Sequence, residues 1–244
     1  MSENTGQTGH THLINQTIAE INAIFSKLGF TYAEGPMVES ENYSFDVLNV
    51  PRDHPARDAQ DTFWLKGVEE TVLRPHTSSV QVRFMEAMMG RGVKPPYRII
   101  VPGRTFRNEA TDATHEAAFH QVEGLVIDKK GEVTLAHLKG TLETFMSEFF
   151  GREIKTRFRP GYFPFVEPGV EVDIYYTSPR GEKWIEVLGA GMVHPNVLKA
   201  AGVDPQQYQG FAFGTGIERI AMIKYEIDDV RLFQSGDLRF VNQF

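Results

Sequence analysis

The chain has 244 residues, a formal net charge of −7, 41% hydrophobic and 23% charged residues, and no cysteine. This is the composition of a soluble globular protein with a sizeable core, and no apolar run approaches the ~18 residues of a membrane helix. The missing cysteines exclude disulfides and thiolate metal sites and fit a cytoplasmic protein, and the acidic balance excludes an all-over basic nucleic-acid surface, leaving room only for a focused phosphate-binding patch.

In chain order, residues 1–12, MSENTGQTGHTH, lack the basic-then-apolar order of a signal peptide and read as a flexible polar tail, with His10 and His12 in a solvated segment rather than a metal site. From Leu13 to Leu28, apolar residues recur every three or four positions and Gly29 follows, which predicts a capped amphipathic helix. FTYAEGPMVES reads as a strand interrupted by Gly35-Pro36, at an edge or a bulge. Strand-like runs follow at 62–65, 71–74, 97–101, 119–127, 153–159, 170–176 and 184–189, separated in places by helical patterns at 77–89, 134–150, 195–201 and 215–225. Hairpin-like neighbours with inserted helices predict an α+β fold with an antiparallel sheet, and with no linker or repeat, residues 13–244 read as one domain.

Phosphate-loop NTPases, elbow-type hydrolases and zincins are disfavoured, because their signatures are missing. GRTFRNEATDATHEAAFHQVEG (103–124) instead offers polar residues at strand spacing, with Arg107 beside Glu109, and Phe119, Gln121 and Glu123 on one face. From the pattern alone this is either a solvated hairpin face or a functional one; Phe119 argues for the second. GFAFGTGIERIAM (210–222) leads small residues into an apolar helix, either for core packing or for close approach of an anion to the helix start near Arg219. In GYFPFVEPGVEVD (161–173), Phe163 and Phe165 sit at the spacing of two rings on one side of a strand, which ordinary core alternation also produces.

FRNE, FHQVEG and GTGIER together resemble motifs 2 and 3 of the class II aminoacyl-tRNA synthetases, and LGFTYAEGP resembles motif 1 around Pro36. HTSSVQVR, FHQVEGLV, YFPFVEPG, EVLGAGMVHPNVL and GFAFGTGIERIAM are similar, in order, to the catalytic core of the bacterial phenylalanyl-tRNA synthetase α subunit, from about residue 9 to the end. The resemblance implies a class II synthetase sheet flanked by helices that forms phenylalanyl-adenylate from phenylalanine and ATP and passes the amino acid to tRNA(Phe). It implies that Arg107 holds the α-phosphate, Glu109 accepts from the adenine amino group, Phe119 and Arg219 sandwich the adenine, and His115 touches the outer phosphates. Arg107 and Arg219 are the catalytic pair in this reading. His76, Ser78, Gln121 and Glu123 would take the ammonium and carboxylate of phenylalanine; Phe163, Phe165, Val166, Ala212 and Gly214 would hold its ring. Glu167 matches a Mg²⁺ position shared with the family's β subunit, and Glu186 is a second Mg²⁺ candidate beside ATP.

The chain departs from the family in three places. Only a short tail precedes the first helix where relatives carry a helical arm that contacts tRNA; GHTHLI lacks the usual His-Pro; and Ala190 stands where many relatives have cysteine. The expected partners are a β subunit, a second copy through motif 1, or both, with tRNA binding aided by a partner. Two other readings stay open at this point: a non-catalytic paralogue that binds an amino acid or RNA, and a related ligase for another amino acid, as in the pyrrolysine enzymes.

Overall fold

In the computed structural model, which describes residues 9, 11–58, 60–178 and 181–244, helix α1 (Leu13–Lys27) forms over the predicted periodic stretch. It buries Leu13, Ile14, Ile21, Ile24 and Phe25 along one face and ends before Gly29, whose φ of 80° suits a left-handed turn. His12 belongs to the helix rather than to a solvated tail. Its Nε2 donates to the Phe233 carbonyl at 2.9 Å, which leaves Nδ1 to accept from the Ile14 amide at 3.2 Å as the N-cap. Residues 1–8 and 10 of the expected tail lie outside the described residues.

The segment read as one interrupted strand divides at Gly35-Pro36 into β1 (Thr31–Tyr32) and β2 (Val38–Ser40), in different sheets. After the short helix α2 (Glu41–Ser44), β3 (Thr71–Leu73) pairs antiparallel with β2. Residues 62–65, expected as a strand, contribute one isolated bridge, Trp64 to Val72. Buried Arg74 joins the two sheets by donating to the Arg104, Gly35 and Pro36 carbonyls at 2.9, 3.1 and 3.3 Å. The main chain then runs through α3 (Ser78–Gly90), β4 (Tyr97–Phe106), β5 (Ala118–Lys129), α4 (Leu135–Phe150), β6 (Thr156–Phe163), β7 (Val166–Ser178), β8 (Gly181–Val193), α5 (Pro195–Ala200), β9 (Tyr208–Gly216), α6 (Ile217–Tyr225) and α7 (Leu238–Val241).

Among the described residues the main sheet has seven strands in the order β1-β4-β5-β9-β8-β7-β6. Every neighbouring pair is antiparallel except β1 with β4, so the expected antiparallel sheet is mixed at one edge. The sequence reading missed β9, a central strand written GFAFGTG at its heart, because glycine weakens strand propensity and only its neighbours β5 and β8 hold it extended.

Side-chain alternation gives the sheet two unlike faces. On one, Val122, Val126, Phe211, Phe213 and Leu188 pack under α1, α4 and α6. Phe213 stacks on Phe25 of α1 with ring centroids 5.3 Å apart, and Phe25 in turn meets Phe145 of α4 at 4.8 Å. On the other, Ile99, Val101, Leu125, Ile127 and Ala212 pack with α3 and α5. That second layer covers only part of its face. Toward residues 119–123 of β5 the cover ends, and a cavity begins.

Gly124 lies beneath the Phe213 ring, where an added Cβ would occupy space the ring fills. Gly124→Ala is expected to destabilise the fold by about 1–3 kcal/mol through displacement of Phe213 from Phe25, read as a lower urea midpoint with an unchanged m-value.

Candidate active site

The cavity has a volume of about 900 Å³ and is floored by β5, β9 and β8. Register puts Gln121 opposite Gly216, Glu123 opposite Gly214 and Leu125 opposite Ala212, and β8 then sets Gly189 beside Gly214 and Gly191 beside Ala212. The floor is flat because larger side chains lie across it. A Cβ on Gly214 would come 2.9 Å from Glu123 Cγ, and one on Gly189 would come 2.6 Å from Phe163 Cζ.

At the deep end Glu123 is 5% exposed and accepts three hydrogen bonds, from the Thr77 amide at 2.9 Å, Ser78 Oγ at 2.6 Å and Gln81 Nε2 at 2.9 Å. All three donors come from the start of α3, where free amides favour an anion. Burial pushes the Glu123 carboxyl up, and the Ser78 and Thr77 hydrogen bonds oppose that. Gln81 was not anticipated. Its signal was present, since it falls one helical turn after Ser78 and therefore on the same face.

His76 precedes this group, with its ring 6.1 Å from that of Phe165. Its pKa falls to about 3, first through burial and then through the charges of Arg107 and Arg74, so the ring is neutral near pH 7. Two buried polar atoms here, His76 Nδ1 and Gln121 Oε1, have no hydrogen-bond partner. Such atoms are costly in a closed interior, and on a cavity wall they are open to a ligand's polar groups.

The ring pair sits differently from the strand reading. Phe163 ends β6, and Phe165 lies in the two-residue turn Pro164-Phe165 that leads to β7, so the rings meet around a hairpin tip. Their centroids are 6.0 Å apart with the planes inclined by 26°. Val166, Ala212 and Gly214 line the same cavity, as do Leu48 and His54 from the 45–57 region, which the sequence reading did not single out.

Toward the open end, Arg107 and Arg219 both line the cavity and an adjoining pocket of about 180 Å³, which Glu109, His115 and Phe119 also line. The Arg107 guanidinium lies 5.1 Å from the Phe119 ring centroid. It faces the lumen, yet protein surrounds enough of it that desolvation draws its pKa down. Arg219 is exposed in the first turn of α6. The neighbouring Glu218 fastens that turn to β5, accepting from the His120 amide at 3.0 and 2.9 Å and meeting His120 Nδ1 at 2.7 Å. His115 stands in a loop gathered around Asp112, whose carboxylate accepts from the Thr114 and His115 amides and is held well below its usual range by the Thr114 amide and the His115 ring.

The two metal candidates separate. Glu186 lines the cavity with its side chain 57% exposed, 3.1 Å from Arg159. Glu167 is 78% exposed outside the lining, 3.5 Å from His194. No group of three or more His, Cys, Asp or Glu among the described residues could hold an ion. A lone carboxylate on the lumen fits Mg²⁺ shared with polyphosphate oxygens and water rather than an all-protein cage.

The family model for the tRNA synthetases class II core domain (F) matches residues 1–244. A pyrrolysyl-tRNA synthetase from Desulfitobacterium hafniense has a similar fold, with a TM-score of 0.73 over 94% of this chain and 76% of that one at 17% identity. The chain therefore has the class II synthetase core. Phenylalanine–tRNA ligase alpha subunits are similar along nearly its whole length. Those of Caldicellulosiruptor saccharolyticus and Alkaliphilus metalliredigens are each 52% identical, over 98% and 100% of this chain and 70% and 72% of their own. That of Persephonella marina is 51% identical over 98% of this chain and 69% of its own. The chain belongs to the phenylalanine–tRNA ligase α-subunit family.

The His76 pKa of about 3 lies below the 6.5 of an exposed imidazole, so as pH falls the unfolded chain takes up this proton first. Folding then loses stability from about pH 6.5 downward, by up to ~2 kcal/mol at pH 5, and is indifferent to His76 above that window. Urea unfolding at pH 7 and pH 5 should show a smaller loss for His76→Asn than for the unaltered chain, and the His76 ring should keep neutral chemical shifts down to pH 5.

Proposed function

We propose that this chain activates L-phenylalanine with ATP, giving phenylalanyl-adenylate and pyrophosphate, and then transfers the amino acid to tRNA(Phe). One observation carries the reading. One cavity joins an aromatic pair and a buried carboxylate at one end to two arginines at the other, and the same arginines line the adjoining pocket that holds the Phe119 ring.

In this reading the benzyl group enters between Phe163, Phe165 and Val166 over the Ala212–Gly214 floor, where edge-to-face contacts add ~0.5–1.5 kcal/mol each beyond burial. Glu123, Ser78 and the unpartnered Oε1 of Gln121 accept from the ammonium, and the unpartnered Nδ1 of His76 is open to the zwitterion's other polar group. With His76 neutral, Glu123 is the carboxylate that lines that end, which sets the direction of the amino acid. Its carboxylate then points toward Arg107. The new bond runs from a carboxylate oxygen to the α-phosphorus, the bond to the bridging oxygen breaks, and pyrophosphate leaves with the electron pair. Arg107 holds the α-phosphate and offsets charge that develops in the displacement, a preorganised contribution that water could supply only by reorganising. Phe119 and Arg219 sandwich the adenine, Glu109 accepts from its amino group, and His115 meets the outer phosphates. Mg²⁺, held through Glu186 and the phosphate oxygens, would neutralise the leaving group; Glu167 remains a candidate for an ion shared with another subunit.

The relatives are named alpha subunits, which supports assembly with a β subunit; a second copy through the β1–β2 region is the other expected contact. No described helix is long and apolar enough to cross a membrane, and a cytoplasmic site of action fits the reading.

Phenylalanine-dependent ATP–pyrophosphate exchange, measured on the chain alone and with a β subunit, tests this function. Exchange should require phenylalanine, and Arg107→Ala should lower it at least ~100-fold, roughly 2.7 kcal/mol. Exchange with a different amino acid only, or with none in either form, would overturn the reading; a near-normal Arg107→Ala rate would overturn that residue's role.

A further inference from the structure

The hairpin tip that carries Phe165 has no regular structure of its own to fix it. A two-residue turn between β6 and β7 can rock about its base, and the ring it carries would rock with it. Both carbonyls of the tip are nevertheless tied to other parts of the chain. Asn49 Nδ2 donates to the Pro164 carbonyl at 2.7 Å, and the His194 amide donates to the Phe165 carbonyl at 2.9 Å.

Asn49 is suited to this task. It stands in the left-handed region, with φ 60° and ψ 24°, which asparagine tolerates better than most residues. A carbonyl can only accept, so the Pro164 oxygen requires the amide nitrogen of Asn49 and turns its Oδ1 away from the tip. That Oδ1 accepts from Asn196 Nδ2 at 2.8 Å, in the first turn of α5. The chain of bonds thus runs from α5 through Asn49 to the tip, while the neighbouring His194 holds the other carbonyl.

We propose that Asn49 is a positioning residue for the aromatic pair, a latch that holds the Pro164-Phe165 turn and with it the Phe165 ring over the cavity. It touches neither substrate in the reading above, on which this inference rests, and it acts at the ring end alone, on the side away from Arg107 and Arg219.

Asn49→Gly tests this, because glycine accepts the left-handed backbone and removes only the side chain. With a phenylalanine-activating protein, KM for phenylalanine should rise about tenfold, the scale of one well-placed hydrogen bond, with KM for ATP within about twofold. Asn196→Ala, which removes only the orienting bond, should give a smaller shift in the same direction. An unchanged phenylalanine KM, or equal rises in both constants, would overturn the latch. Hydrogen exchange at the His194 amide needs no substrate and separates failure of the latch from failure of the functional reading. Exchange at that amide should quicken in Asn49→Gly while the amides of α1 and α4 keep their protection. Unaltered exchange at His194 would overturn the proposal whatever the activity of the chain.

Discussion

A buried carboxylate with three neutral donors fixes the geometry of this molecule's cavity. Glu123 takes its hydrogen bonds from the Thr77 amide, Ser78 and Gln81. Breaking that arrangement would leave a 5%-exposed carboxylate short of its donors, at a cost of about 1–3 kcal/mol. The start of α3 is therefore bound to the middle of β5. Much follows from that one placement. His76 is carried to the cavity wall just ahead of the helix, Arg74 is set over Gly103 on the same face of the sheet, where it ties β4 to the Gly35-Pro36 segment, and the floor opposite Glu123 must be glycine. Glu123 has no cation within ion-pair distance among the described residues, and Arg107 and Arg219 line the other end of the cavity.

The two faces of the sheet divide the remaining work. One is closed by three helices around the stacked rings of Phe25, Phe145 and Phe213 and serves as a rigid back. The other is apolar under α3 and α5 and turns polar along the same strand. On β5 the change comes between Leu125 and Glu123, a step of one pleat. A site at that boundary inherits a stiff floor from the sheet, apolar surface from one side and charge from the other. The hairpin tip is a wall without such support, and the side chain of Asn49 reaches it from outside the sheet.

Period and spacing made parts of this legible beforehand. The helix from Leu13 was written in its apolar repeat, and the common face of Phe119, Gln121 and Glu123 followed from strand alternation. Motif resemblance placed distant segments in one fold, which periodicity could not have done. Other features depended on contacts between distant residues. β9 was hidden because Gly210 and Gly214 reflect the close approach of β5 atoms, the Val126 carbonyl and the Ile127 and Glu123 side chains, not a local preference for turns. Phe163-Pro164-Phe165 read as alternation because the turn between β6 and β7 is set by pairing across the hairpin. The parallel edge at β1 reflects the return path of the chain through α3, which no local pattern encodes. Asn49 gave no signal at all, since its value lies in a carbonyl 115 positions further on.

The central claim is that the Glu123 carboxylate, which has no ion-pair partner among the described residues, makes one end of the cavity selective for an ammonium group, with aromatic contacts beside it. Calorimetric titration with phenylalanine and with 3-phenylpropanoate, which keeps the ring and the carboxylate but lacks the amine, isolates that claim. The account predicts that phenylalanine binds about 10–100-fold more tightly, the range of a hydrogen bond to a buried charge, and that Glu123→Gln removes most of the difference. Equal affinity of the two ligands for the unaltered protein would contradict it.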